Sequence, residues 1–154
     1  MNDKISRKLA NSITLIRIIF GGLLFGIVSF LTAMSIIIPP GGSQETEPNG
    51  IFQLIAPIFM VIAVSVSIFL RKAMLAKVHN ETNPLNLIKA YTSTKIIQMG
   101  LVDASIIFAI VCYVLTTNTF FIILSGLGIF YFTSLFPLQK KVAQQLKLDN
   151  PIGY

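Results

Sequence analysis

Apolar residues in this chain fall in four long runs, set apart by short polar or Pro/Gly-containing segments: roughly Ile13–Ile38, Ile51–Leu70, Lys95–Thr116 and Thr119–Pro137. A helix crossing a bilayer needs about 20 predominantly apolar residues, so each run predicts one spanning helix. No run alternates with period two, and the expected fold is an all-α membrane protein of four transmembrane helices. The Thr117-Asn118-Thr119 link is short enough to fold spans three and four back as an antiparallel hairpin. Pro39–Pro40 and the following GGSQETEPNG join spans one and two as a polar connector.

Composition supports this division. Of 154 residues, 54% are hydrophobic and only 12% charged, too little surface charge for an ordinary soluble domain. Mean hydropathy is +0.78. The basic start resembles a signal peptide, but the apolar run behind it is too long and has no small-x-small cleavage site, so it is expected to stay attached.

Charge then orients the chain. Lys4, Arg7, Lys8 and Arg17 precede or open span one; Arg71, Lys72, Lys77, Lys89 and Lys95 separate spans two and three; Lys140, Lys141 and Lys147 follow span four. All twelve fall on one side of the deduced topology. The positive-inside rule makes that side cytoplasmic, with both termini and the basic loop 71–94 inside a bacterial inner (plasma) membrane. Net charge of +6 is accounted for by attraction to anionic lipid of the inner leaflet and implies no nucleic acid. In the tail 138–154, Leu138, Val142 and Leu146 recur every four residues, the layout of a short amphipathic helix on the membrane surface; a solvated terminal helix is the other reading.

The chain holds one carboxylate inside a span. Asp103 lies in KIIQMGLVDASIIFAIVCYVLT, where a charged group costs roughly 2.5–3.5 kcal/mol on insertion scales and so calls for a partner, a cavity or a cation. Three readings stand: a structural Asp held by a pair or interhelical hydrogen bonds, a proton- or cation-carrying carboxylate, or an Asp close enough to the interface to stay hydrated. Arg17, about one turn inside span one, is either an interface anchor reaching back to the headgroups or the partner of Asp103. In span three, Gln98, Ser105, Ala109 and Cys112 share one narrow helical face and Gly100, Asp103 and Ile107 the opposite one, and both faces are expected to contact other helices.

Small residues mark expected close packing: Gly22 and Gly26 in span one, Ser105 and Ala109 in span three, Gly126 and Gly128 in span four. Aligned without gaps, GGLLFGIVSF at Gly21–Phe30 matches ASIIFAIVCY at Ala104–Tyr113 by residue class, which pairs Gly22 and Gly26 with Ser105 and Ala109. This register predicts two antiparallel hairpins related as a parallel repeat. It also sets Arg17 level with Gly100, about 4.5 Å of helix rise from Asp103. An Arg17–Asp103 ion pair between spans one and three is the resulting expectation.

Between spans two and three, Arg71–His79 continues span two as helix, Asn80–Asn83 reads as a turn, and Asn83–Pro84 has the form of an N-cap with a first-turn proline. His79 lacks companions at ligand spacing and Cys112 is alone, so neither metal site nor disulfide is expected. No nucleophile–base set, paired carboxylates or phosphate-cradling glycine loop is present, and neither enzymatic activity nor a cofactor is expected.

The stretch AYTSTKIIQMGLVDASIIFAIVCYVL, with FPLQKKVAQQLKL after the last span, resembles a loosely defined group of uncharacterised small four-helix bacterial inner-membrane proteins. In that group an acidic residue, usually Glu, follows an aliphatic pair in helix three, and Phe-Pro closes helix four. Here Val102-Asp103-Ala104-Ser105 stands where the group tends to have Leu-Glu-Gly. The resemblance carries over an acid to Asp103 and no activity. The duplicated proteolipid of rotary ATPases is similar in plan, with two hairpins and one intramembrane carboxylate. It departs in placing the acid on the second helix of a hairpin, in its dense glycines and in the side its termini face. These readings lead to an accessory or assembly subunit of a membrane complex, with an oligomeric proton- or cation-translocating protein as the alternative. The partners expected are lipids together with further copies or other membrane subunits.

Overall fold

A computed structural model describes residues 3–38, 48–80 and 83–137. The connector 39–47, residues 81–82 and the tail 138–154, with the amphipathic helix expected there, lie outside the described residues. Four helices follow in order: α1 Asp3–Ile37, α2 Pro48–Asn80, α3 Pro84–Thr116 and α4 Thr119–Ser134. Strands are absent among the described residues, and the chain is an all-α membrane protein.

Three helices contain stretches long and apolar enough to cross a membrane, at Arg7–Ile37, Gly50–Met74 and Leu85–Thr116. The fourth helix is more apolar along its length than these three but has 16 residues, about 24 Å of rise against a hydrocarbon core of about 30 Å. It stops at Ser134, short of the Phe136–Pro137 pair that the sequence pattern takes as its end.

The basic segment 71–94 is helical over most of its length, as expected for Arg71–His79 and from Pro84 on. α2 runs on to Asn80 and α3 begins at Pro84, so helix occupies nearly all of it. The start of α3 follows from its chemistry. Asn83 has extended backbone angles, its side chain accepts from the Leu85 N–H at 3.0 Å, and Pro84 fills a first-turn position where no N–H donor is needed. At the other end, the Thr117 N–H donates to the Tyr113 carbonyl with Thr117 in the left-handed region, and Asn118 at once caps α4 by accepting from the Phe120 N–H at 2.9 Å. One residue closes a helix and the next opens another, which fixes the α3–α4 hairpin. Because α2 starts at Pro48, Pro57 stands about ten residues into it, and the helix is continuous through that position.

α3 is the spine. α1, α2 and α4 all pack on it, α4 also meets α1 and α2 lightly, and α1 and α2 barely touch each other. The hairpin relation expected of spans one and two therefore does not appear as packing. α1 lies parallel to α3: Phe20 stacks on Phe132 of α4 with ring centroids 5.0 Å apart, and at the far end the Tyr113 hydroxyl donates to the Ile38 carbonyl just beyond α1. All described Lys and Arg side chains thus gather toward one end of the bundle, where α1 and α3 begin and α2 finishes. The core follows α3, with Met99, Val102, Ile106, Ala109 and Ile110 all but sealed between the surrounding helices.

Candidate functional site

Two faces of α3 define the site. Gln98, Ser105, Ala109 and Cys112 are all buried. The Gln98 side-chain amide donates to the Ser67 carbonyl of α2 at 2.6 Å, a polar tie across the seam. Ser105 and Ser125 instead donate to carbonyls of their own helices, Val102 at 2.7 Å and Phe121 at 2.8 Å. Their hydroxyls are satisfied locally, and what they bring to the packing is small size.

The opposite face is open. Gly100, Ala104, Ile107 and Val111 are exposed along the side of α3 that neither α1, α2 nor α4 covers. Asp103, half-buried, borders this strip, with Gly100 and Ile107 one turn away on either side. The edge-on contact of Phe59 with Phe108, ring centroids 5.3 Å apart, borders it on the α2 side. Within the one chain, the first face contacts other helices as expected and the second is uncovered among the described residues.

Arg17 and Asp103 do not meet. The Arg17 guanidinium lies 5.6 Å from the ring centroid of Phe136, beyond the end of α4. Its Nε is buried with no hydrogen-bond partner. Among the described residues Asp103 forms neither a hydrogen bond nor an ion pair. Gly128 lies against Ile106, so Phe132, one turn further along the antiparallel α4, is close to the level of Val102; Phe20 stacks there, and Arg17 is three residues nearer the basic end. The two side chains start about 6 Å apart along the helices, within reach of a long Arg, but Arg17 turns to α4 and Asp103 to the uncovered strip.

The small residues divide in the same way. Ser105, Ala109 and Gly128 are inside, and a Cβ at Gly128 would stand 2.6 Å from Ile106 Cγ1 and 3.0 Å from Met60 Cε. Gly22, Gly26 and Gly126 are exposed, and a Cβ at each would meet nothing within 4 Å. Within one chain these three pack against no neighbouring helix. The matched segments of spans one and three accordingly differ in setting, since Gly22 and Gly26 face outward where Ser105 and Ala109 face in.

A group not singled out from the sequence sits at the basic end of the α2–α3 seam. Arg71 is close enough to act electrostatically on both Lys95 and Tyr91. Spacing could have revealed it, because Tyr91, Lys95 and Gln98 recur at helical intervals on α3 while Ser67 and Arg71 stand four apart on α2. Compared with known proteins, this chain matches no family model, no curated protein and no solved structure.

Proposed function

We propose that this small integral membrane protein acts as an accessory or assembly subunit of a membrane complex, and that the open strip of α3 receives a transmembrane helix of another subunit. The observation that carries this reading is Asp103, a carboxylate within an apolar span, on an uncovered flank and without a partner among the described residues. Such a group is satisfied by a cation or hydrogen-bond donor, and the fitting partner helix carries Lys, Arg or a polar side chain at that depth. Counting from Lys95, the depth is about 12 Å in from the basic end. Gly100 and Ala104 beside it let a second backbone approach closely. The clustering of Lys and Arg at one end supports a bacterial inner-membrane location with both termini cytoplasmic. The work done here is association with lipids and subunits; enzymatic chemistry, cofactors and nucleic acid have no part in it.

The test is the mass and composition of the particle extracted gently from native membranes into nanodiscs. The wild type is expected to carry other subunits. Asp103→Asn is expected to lose them by tenfold or more while unfolding in micelles as the wild type does. A wild-type particle consisting of this chain alone, as monomer or dimer, removes the assembly reading. The second reading, a proton- or cation-translocating oligomer with Asp103 as carrier, is favoured by the same partial exposure, since a carrier must be reachable. A ring of identical copies whose ion flux disappears in Asp103→Asn would replace the first reading by the second.

A further inference from the structure

The α2–α3 seam is polar toward its basic end. The Gln98 amide is bonded to the Ser67 carbonyl, which sets the register of two antiparallel helices. Arg71 lies four residues beyond Ser67 on α2; Lys95 and Tyr91 lie three and seven residues before Gln98 on α3. All three steps lead toward the same end of the bundle and keep to the seam side of their helices. Lys95 is half-buried, Arg71 is exposed beside it, and Tyr91 is only 5% exposed.

Among the described residues, the structure thus holds two cations together without a neutralising carboxylate. Among the described residues neither Arg71 nor Lys95 forms an ion pair, and the Tyr91 hydroxyl, on an otherwise buried ring, forms no hydrogen bond. The nearest acid on α3, Asp103, is about two turns away. Like charges at close range repel, and the Tyr91 hydroxyl beside them is a reachable donor with no acceptor in use, so an anion there relieves the repulsion and accepts from the phenol. A tetrahedral phosphate can accept from a guanidinium, an ammonium and a phenol at once. On the membrane side of the seam, Ile68, Phe69 and Ile97 are exposed apolar residues next to this polar end, the surface an acyl chain would cover. We propose that Arg71, Lys95 and Tyr91 form a phosphate site that holds the headgroup of an anionic phospholipid at the α2–α3 seam.

This site stands apart from the Asp103 strip, and its test does not depend on a protein partner. The full chain is reconstituted in phosphatidylcholine nanodiscs containing a minority of phosphatidylglycerol, and retained lipid is counted by native mass spectrometry. The wild type and Asp103→Asn are expected to retain phosphatidylglycerol preferentially. Arg71→Gln and Lys95→Gln should each weaken retention about fivefold. Tyr91→Phe, which changes neither charge nor shape appreciably, should also weaken it about fivefold through the lost hydrogen bond. Lys72→Gln/Lys89→Gln removes two exposed cations elsewhere and should leave retention unchanged. Equal loss in that control reduces the site to general surface attraction and overturns the proposal. Should the cation variants fail to fold, Tyr91→Phe decides, and unchanged retention there overturns it as well. Inorganic phosphate is the remaining probe: if it protects the protein in lipid-free micelles and lipid adds nothing, the ligand is a free anion and the lipid assignment is wrong.

Discussion

The two sides of α3 are built from similar materials and do opposite things. One side presents Gln98, Ser105, Ala109 and Cys112 to other helices of the same chain, and all four are buried. The other presents Gly100, Ala104, Ile107 and Val111 to the outside, with the carboxylate of Asp103 at its edge. In each case small residues permit close approach and a polar group adds direction. The difference is that, among the described residues, the first side has its complement and the second does not. A polar group inside a membrane that is already satisfied stabilises the fold; one that is not points to something still to be bound.

Substitutions can break this comparison, and the largest effect is expected at Gly128. Because its Cβ would press on Ile106, itself sealed in the core, Gly128→Ala should destabilise the fold by about 1–3 kcal/mol in a micellar unfolding titration. A neutral result there would mean that the inner packing is looser than described. Next comes the Gln98 tie. Gln98→Leu should cost about 0.6 kcal/mol, the average for interhelical hydrogen bonds in a membrane, and up to about 1.7 kcal/mol for a short buried one. Tyr113→Phe, which removes the hydroxyl donated to the Ile38 carbonyl, should cost about 1 kcal/mol, read in the same titration. Smallest is the outer set. Gly22→Ala, Gly26→Ala and Gly126→Ala should shift monomer stability by under about 1 kcal/mol, toward stabilisation, since Ala favours helix and meets nothing within 4 Å. A marked loss of stability at any of these would show that its face is covered within the chain after all.

Much of the architecture is written in the residue pattern. The apolar runs place the helices, Asn83–Pro84 places the start of α3, and the short link through Asn118 places the α3–α4 hairpin. The buried face of α3 is also legible, because Gln98, Ser105, Ala109 and Cys112 recur at helical spacing. The uncovered face is not. In water an outward face is polar and marks itself, whereas in a bilayer lipid tails are as apolar as leucine, so Ile107 and Val111 read the same whether they meet lipid or protein. Gly22 and Gly26 illustrate the point: their spacing suits close packing, yet it does not say whose helix would come close. The Arg17–Asp103 expectation failed for a related reason. Register along parallel helices gives height, and Arg17 and Asp103 lie about 6 Å apart along the helices, but the direction of each side chain depends on where α4 lies, which the alignment of spans one and three does not contain.

That α1 and α2 barely touch and each rests on α3 has a consequence for how the chain is made. Synthesis delivers the N-terminal helices first. When α1 and α2 have entered the bilayer they have almost no described surface for one another, and they remain two separate helices side by side in lipid until α3 arrives between them. Consolidation is therefore a late, single event that waits on the third insertion, and a chain ended after residue 80 would leave two inserted helices with nothing to assemble around.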